Sequence, residues 1–242
     1  MDGEFGDTIK AWPKTVRNKV RRYPNRGSYE RPDIYRILDA ALLCHVAYCI
    51  DGQPYCTPTA FWRDGDRLFW HGSSASRMLR TLAKATPACL TVTHFDGIVL
   101  SRSAFHHSIN YRSVMAFGSA GLVDAQEAKA AAMRLFVNRF FPGRWEAIKQ
   151  PSAQEMKATT IISMRIEEAS AKTRSGPPGD DEADYALPIW AGIVPVQTVI
   201  GDIIECPRQH PDARRGPDLS FYRRGSPLGE VLTEAQDTVS PP

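Results

Sequence analysis

The residues with the clearest chemical meaning run from Phe69 to Leu79: Phe-Trp-His-Gly-Ser-Ser-Ala-Ser-Arg-Met-Leu. An aromatic strand ends, a serine-rich turn follows, and Met78, Leu79 and Leu82 give the next segment a helical apolar face, with Pro87 beyond its end. A helix start presents unpaired N–H groups and the positive end of the helix dipole. Ser73, Ser74 and Ser76 add hydroxyl donors, and Arg77 adds a forked cation. Together they read as a phosphate site; serine capping beside a surface arginine is the alternative. His71, at the strand end before the turn, is the candidate catalytic side chain, with a structural hydrogen-bond role as the alternative. His106 and His107 read as exposed loop residues, a substrate-facing role being the alternative.

Other chemistries lose ground. Gly72-Ser-Ser-Ala-Ser76 lacks the last glycine of a nucleophile elbow, and no His-Glu-x-x-His, Walker loop or Gly-x-Gly-x-x-Gly is present. Cys44, His45, Cys49 and Cys56 match no zinc spacing and read as small buried hydrophobes in strands, so no metal site is expected. The 242 residues, 43% hydrophobic and 24% charged, suit one large globular domain or two small ones. No apolar run approaches the ~20 residues of a membrane span, so no membrane partner is expected. The odd count of five cysteines and a start without a secretory pattern point to a reduced cytoplasmic protein.

The elements that must position the turn are mostly strands. A helix begins at Arg31-Pro32-Asp33, with Ile34, Ile37, Leu38 and Ala41 on one face. Asp51-Gly52, Asp64-Gly65 and Asp96-Gly97 each separate two strand-like runs, which predicts an antiparallel meander. Tyr111–Val123 reads as a long strand, Asp124-Ala-Gln-Glu127 as a capping box for the helix behind it, Ser152–Lys157 as a helical turn, and Thr159–Ala171 as one strand. Residues 175–184 form an acidic loop. At least six strands with few helices between them predict a mainly β (α+β) fold, a closed antiparallel barrel with peripheral helices.

Residues 1–30 read as a basic lead-in arm, 31–206 as the barrel domain and 207–242 as a proline-rich, mostly irregular tail. Nine Lys/Arg against five Asp/Glu up to Arg36 give the arm side a net +4 and leave −1 for the rest of the +3 chain. With only Trp12, Tyr23 and Tyr29 as aromatics, the arm is expected to pack on the barrel and to bind no nucleic acid.

The strand–turn–helix resembles that of the pyridoxamine 5′-phosphate oxidase-like, FMN-binding split barrels. Ser76-Arg77 matches the pair that holds the FMN phosphate there, with Met78 where a lysine is usual. Tyr111-Arg-Ser-Val-Met-Ala-Phe-Gly118 is similar to a second family strand, with Arg112 and Ser113 at flavin-contacting positions. Asp51–Trp62 looks like the strand bordering the isoalloxazine, which implicates Thr57, Pro58, Thr59, Ala60 and Phe61, and with them Trp70 and His71. Further likeness, through Arg22–Tyr29, Ala171–Arg174 and Pro188–Pro195, is to the nitroimidazole-resistance-like, flavin-nucleotide-binding branch. The resemblance covers about residues 17–200. It implies a six-stranded split β-barrel and a homodimer with two FMN sites at its interface, reached by Lys172, Arg174 and Trp190; packing for Trp190, and pairing of Lys172 and Arg174 with the acidic loop, are the alternatives. It also implies an oxidoreductase acting on a small organic or nitroaromatic molecule. A non-catalytic flavin- or haem-binding storage or sensor protein is the alternative.

Overall fold

The computed structural model describes residues 10–239; Met1–Ile9 of the arm and Ser240–Pro242 of the tail lie outside the described residues. Two of the three Asp-Gly pairs turn the chain as expected. Asp51 and Gly52 both take positive φ (49° and 78°) and join β2 (Leu43–Ile50) to β3 (Gln53–Asp64), after a two-residue β1 (Gly27–Ser28) and α1 (Arg31–Asp39). Gly65, also at positive φ, joins β3 to β4 (Arg67–Ser73). Asp96-Gly97 does not turn. It is a bulge inside the continuous β5 (Thr86–Leu100), which follows α2 (Arg77–Leu82). A Cβ on Gly97 would stand 2.9 Å from the Val194 carbonyl oxygen, so the close approach of another strand is what requires glycine there.

The chain continues through β6 (Ser108–Leu122), α3 (Gln126–Phe140), α4 (Arg144–Ala147), α5 (Ala153–Ala158), β7 (Thr159–Arg165), β8 (Glu168–Arg174), β9 (Gly192–Pro195) and α6 (Leu228–Val239). The antiparallel ring β5–β2–β3–β4–β7–β6 closes on itself through β5–β6 pairing, so the six-stranded barrel of the sequence reading is present. The long β5 and β6 overrun it. The far end of β5 carries β9, and β6 carries β8, which in turn carries β1.

The single strand expected over Thr159–Ala171 is therefore two. The break falls at Ile166 and Glu167, whose N–H groups are drawn out of register by the carbonyls of Asp66 and Phe117. The capping box expected at Asp124–Glu127 does not form: α3 begins at Gln126 behind Ala125, without a side-chain cap. The box that forms belongs to α5, between Ser152 and Glu155.

Strand alternation sends Cys44, Val46, Phe61, Leu68, Trp70 and Leu90 into the barrel, plugged by Ile34, Ile37 and Leu38 of α1 and by Leu79 and Leu82 of α2. The outer face of β3, β4 and β7 is buried as well. Trp62, Phe69 and Ile161 lie under Ala132, Phe136 and Phe140 of α3 and Leu232 of α6. The described part of the tail thus includes a helix, α6. Val231, Leu232 and Ala235 bury one face of it, a stripe whose helical spacing outweighs the proline content around it.

The arm packs on the barrel over its described part. Trp12 is buried edge-on to Tyr35, Asn18 donates to the Ala169 carbonyl, and Arg17 pairs with Glu168 at 2.9 Å. Among the described residues no helix is long and apolar enough to cross a membrane.

Candidate functional site

The barrel is split beside the serine-rich turn. β3 pairs with β2 from Gln53 to Ala60, but with β4 only from Phe61 to Asp64. Beyond Trp70, β4 leaves β3: His71, Gly72 and Ser73 pair instead with Ile161, Thr160 and Thr159 of β7. One edge of the Pro54–Ala60 backbone therefore has no strand partner among the described residues.

One cation and two aromatic rings meet at this split. The Arg77 guanidinium lies 4.4 Å above the Tyr55 ring, which stacks on Tyr48 at 5.6 Å. The Tyr48 and Thr57 hydroxyls are 3.3 Å apart. Arg77 forms no ion pair among the described residues, and the Ser74 and Ser76 hydroxyls make no hydrogen bond there; the Ser76 N–H is spent on the Ser73 carbonyl at 2.9 Å. α2 has only six residues, so its dipole is small and the anion-binding capacity rests on Arg77 and the hydroxyls.

His71 is half-buried against Trp62 and Phe136, with ring centroids 5.7 and 4.9 Å away. Its Nδ1 is buried without a hydrogen-bond partner, and burial holds its pKa below the ordinary histidine value, so the ring is neutral with a lone pair unused.

The structure separates the remaining candidates. Thr57, Thr59 and Ala60 are half-buried along the open edge and Pro58 is exposed. Phe61 and Trp70 face each other's strand inside the barrel and are closed to the surface. Arg112 is committed to Asp96 through two bonds of 2.9 and 2.8 Å, beside a cavity of about 940 Å³ between α1, β5 and α6. Ser113 donates to the Lys172 carbonyl, which joins β6 to β8. Trp190 is 67% exposed, its ring over Gly192. No described hydrogen bond or ion pair links Arg112, Ser113, Lys172 or Trp190 to the split.

Some sequence alternatives are resolved by these contacts. Arg174 is buried, and its guanidinium holds Asn110 and the carbonyls of Gly176 and Pro177. The acidic loop pairs instead with Arg102, through Asp180 at 2.9 Å, and with His106, through Asp181 at 3.5 Å. His107 is tied to Ser101 and Ser103. Cys44 is buried, its thiol pushed up to about 12 by desolvation, whereas Cys49 and Cys56 are exposed on the outward positions of β2 and β3. Tyr55 and Phe136 also line the site. Tyr55 shares the strand alternation of Thr57 and Thr59, and Phe136 belongs to the apolar stripe of α3 with Ala132 and Leu135.

A profile of the pyridoxamine 5′-phosphate oxidase family matches residues 30–173, which hold the whole ring and the split. The chain belongs to the pyridoxamine 5′-phosphate oxidase family. Among solved members of this fold, the flavocytochrome Anf3 from Azotobacter vinelandii is 43% identical, with a TM-score of 0.82 over 87% of this chain and 98% of that one. The FAD and haem binding protein from Mycobacterium smegmatis is 34% identical, with a TM-score of 0.79 over 84% and 98%. No curated protein sequence matches the chain. In this pyridoxamine 5′-phosphate oxidase family barrel the Arg77–Tyr55 contact joins the serine-rich turn to the open strand edge.

Proposed function

We propose that this chain is a flavin- and haem-carrying redox protein, active as a homodimer, which holds the flavin in the β3–β4 split. The observation that carries the flavin part is Arg77. It is a guanidinium without a carboxylate, laid on an aromatic ring, next to unused hydroxyls and an unpaired strand edge. Such a cradle suits a flavin phosphate on Ser76 and Arg77 and a flat ring along Thr57–Ala60. FMN meets this need with its single phosphate.

The haem part rests on the names of the two relatives together with His71. A half-buried neutral imidazole whose buried Nδ1 has no hydrogen-bond partner, walled by Trp62 and Phe136, would suit a haem iron as a ligand. When bound, the flavin supplies hydride and single-electron chemistry, and a haem adds a one-electron carrier. This chain's residues supply the phosphate grip, the aromatic walls and the unprotonated ligand. A reductase for small organic or nitroaromatic molecules needs only the flavin; the relatives favour the two-cofactor reading.

A second copy of the chain is the proposed cover for the outer face of β5 and β6. Phe95, Ile98, Ile109 and Met115 are exposed there, with Val194 of β9 in register with Ile98 and Trp190 alongside on its lead-in. A C2 interface above ~2,000 Å² is expected.

The test is the absorption spectrum of His71→Ala beside that of the parent. The variant is expected to keep the flavin bands and lose the haem Soret band. A variant with an undiminished Soret band removes His71 from the haem site, and a parent without one removes haem from the function.

A further inference from the structure

One strongly cationic surface takes no part in the flavin site. Seven of the 17 residues from 10 to 26 are Lys or Arg and none is Asp or Glu, whereas the whole chain carries a net charge of only +3. Lys10, Lys14, Lys19, Arg21 and Arg22 are exposed. Among the described residues only Arg17 of the seven forms ion pairs, with Glu167 and Glu168. The segment is pinned to the barrel. The Arg31 N–H donates to the Lys10 carbonyl at 2.8 Å and the Trp12 N–H to the Tyr29 carbonyl at 3.0 Å. Asn18, 3% exposed, donates to the carbonyls of Pro13 and Ala169, and the Val20 N–H donates to the Tyr29 hydroxyl at 2.8 Å. With its backbone held, the loop presents cations that need little ordering on binding. Val16, 83% exposed, stands beside Arg17, an apolar contact within a charged rim.

The sheet relates this loop to the split. The Arg17 guanidinium lies 5.0 Å from the Phe117 ring centroid of β6. Phe117 is in register with Cys89 of β5, Cys89 with Ala47 of β2, and Ala47 with Cys56 of β3. Residues in register share one face of the sheet, and Cys56 belongs to the Pro54–Ala60 stretch along the open edge. Three strand spacings, roughly 14–15 Å, therefore separate β6 beneath the loop from the strand proposed to border the flavin ring. Cations beside a redox cofactor steer an acidic protein towards it, and electron-transfer encounters need only a small interface. Val16 alone gives a bilayer little to bury, and a nucleic acid finds no run of stacking rings.

Resting on the flavin reading above, we propose that the loop of residues 10–26 is the docking surface for a small acidic one-electron carrier protein, which reduces the flavin bound in the split. Two carrier molecules, each oxidised by one electron, and two protons from solvent take one flavin to its fully reduced form.

The probe is a reduced, acidic plant-type [2Fe–2S] ferredoxin, mixed with the flavin-loaded protein in a stopped-flow spectrometer. Loss of flavin absorbance gives the second-order rate constant. In the parent it is expected to fall at least tenfold between about 20 and 300 mM salt, because salt screens the attraction. Lys10, Lys19 and Arg21 are exposed and make no side-chain hydrogen bond or ion pair among the described residues. The triple variant Lys10→Glu, Lys19→Glu, Arg21→Glu is expected to react at least tenfold more slowly at low salt. Dithionite should reduce its flavin at the parent rate, which checks folding and cofactor loading. Arg208→Glu with Arg214→Glu, on the tail, should stay within about twofold of the parent. If the triple variant takes up no flavin, Lys19→Gln and Arg21→Gln replace it, each expected to slow the reaction about threefold. Unchanged rates in the loop variants, equal slowing in the tail variant, no salt dependence, or no reduction by ferredoxin overturns the docking surface. Tight binding of the parent to anionic vesicles or duplex DNA at physiological salt, lost in the loop variants, reassigns the loop and overturns it too. A parent that takes up no flavin removes the flavin reading itself, a result seen before ferredoxin is added and so distinct from the others.

Discussion

Replacing Arg77 by alanine lowers FMN affinity by about ten- to a hundredfold, while riboflavin binds parent and variant alike. The side chain is a cation without a carboxylate partner, held over Tyr55 at the mouth of the split. Its removal takes away a charge-assisted hydrogen bond, a loss of roughly 1.5–3 kcal/mol. Riboflavin shares the ring but not the phosphate, so the difference between the two ligands isolates the contact. Arg77 lies on the surface at the first turn of α2, and its loss leaves the Met78, Leu79 and Leu82 face of that helix intact. Fluorescence titration of flavin-stripped protein reads both affinities. Unchanged FMN binding, or an equal loss for riboflavin, contradicts the phosphate assignment.

Asp39→Ala unfolds at much lower denaturant than the parent, a loss of about 3–5 kcal/mol. Asp39 closes α1 and receives two guanidiniums, Arg63 of β3, whose Nε donates at 2.7 Å, and Arg139 of α3. Arg139 also donates to the Arg63 carbonyl at 2.8 Å, and Gln236 of α6 donates to the Asp39 carbonyl at 3.0 Å. The Asp39, Arg63 and Arg139 side chains are only 16%, 14% and 12% exposed. Burial already pulls the Arg139 pKa down, so taking away the carboxylate strands two desolvated cations. The outer layer of α3 and α6 loosens with them, and that layer walls His71. Urea denaturation of the two proteins checks this; a midpoint within experimental error of the parent contradicts it.

Legibility in the sequence followed where local chemistry decided the outcome. Asp51-Gly52 and Asp64-Gly65 turn because the tight links need residues that tolerate positive φ. Asp96-Gly97 carries the same signal for another reason, since Gly97 makes room for β9, which lies nearly a hundred residues on in the chain. The break between β7 and β8 has no glycine or proline to mark it. It is made by hydrogen bonds from Ile166 and Glu167 to distant carbonyls. α6 was legible in the spacing of Val231, Leu232 and Ala235 but hidden by the composition around it.

At the site, Ser76 and Arg77 stood out because a strand, a serine turn and a helix start form one local unit. The direction of Phe61 and Trp70 did not, because Trp62 and Phe69 are just as apolar and both faces of β3 and β4 are buried. With no polar side to set the parity, the inward positions could not be told from the outward ones. The Arg112–Asp96 pair was equally invisible, since the bulge that brings the two residues face to face arises from pairing across β5 and β6.

A flavin held by a dimer of this barrel is tested by sedimentation velocity of the purified protein at low micromolar concentration, followed at a flavin-absorbing wavelength. One yellow boundary is expected at twice the 26.9 kDa chain mass. A yellow boundary at the mass of a single chain contradicts the shared site, and a dimer boundary that stays colourless after incubation with flavin contradicts the flavin itself.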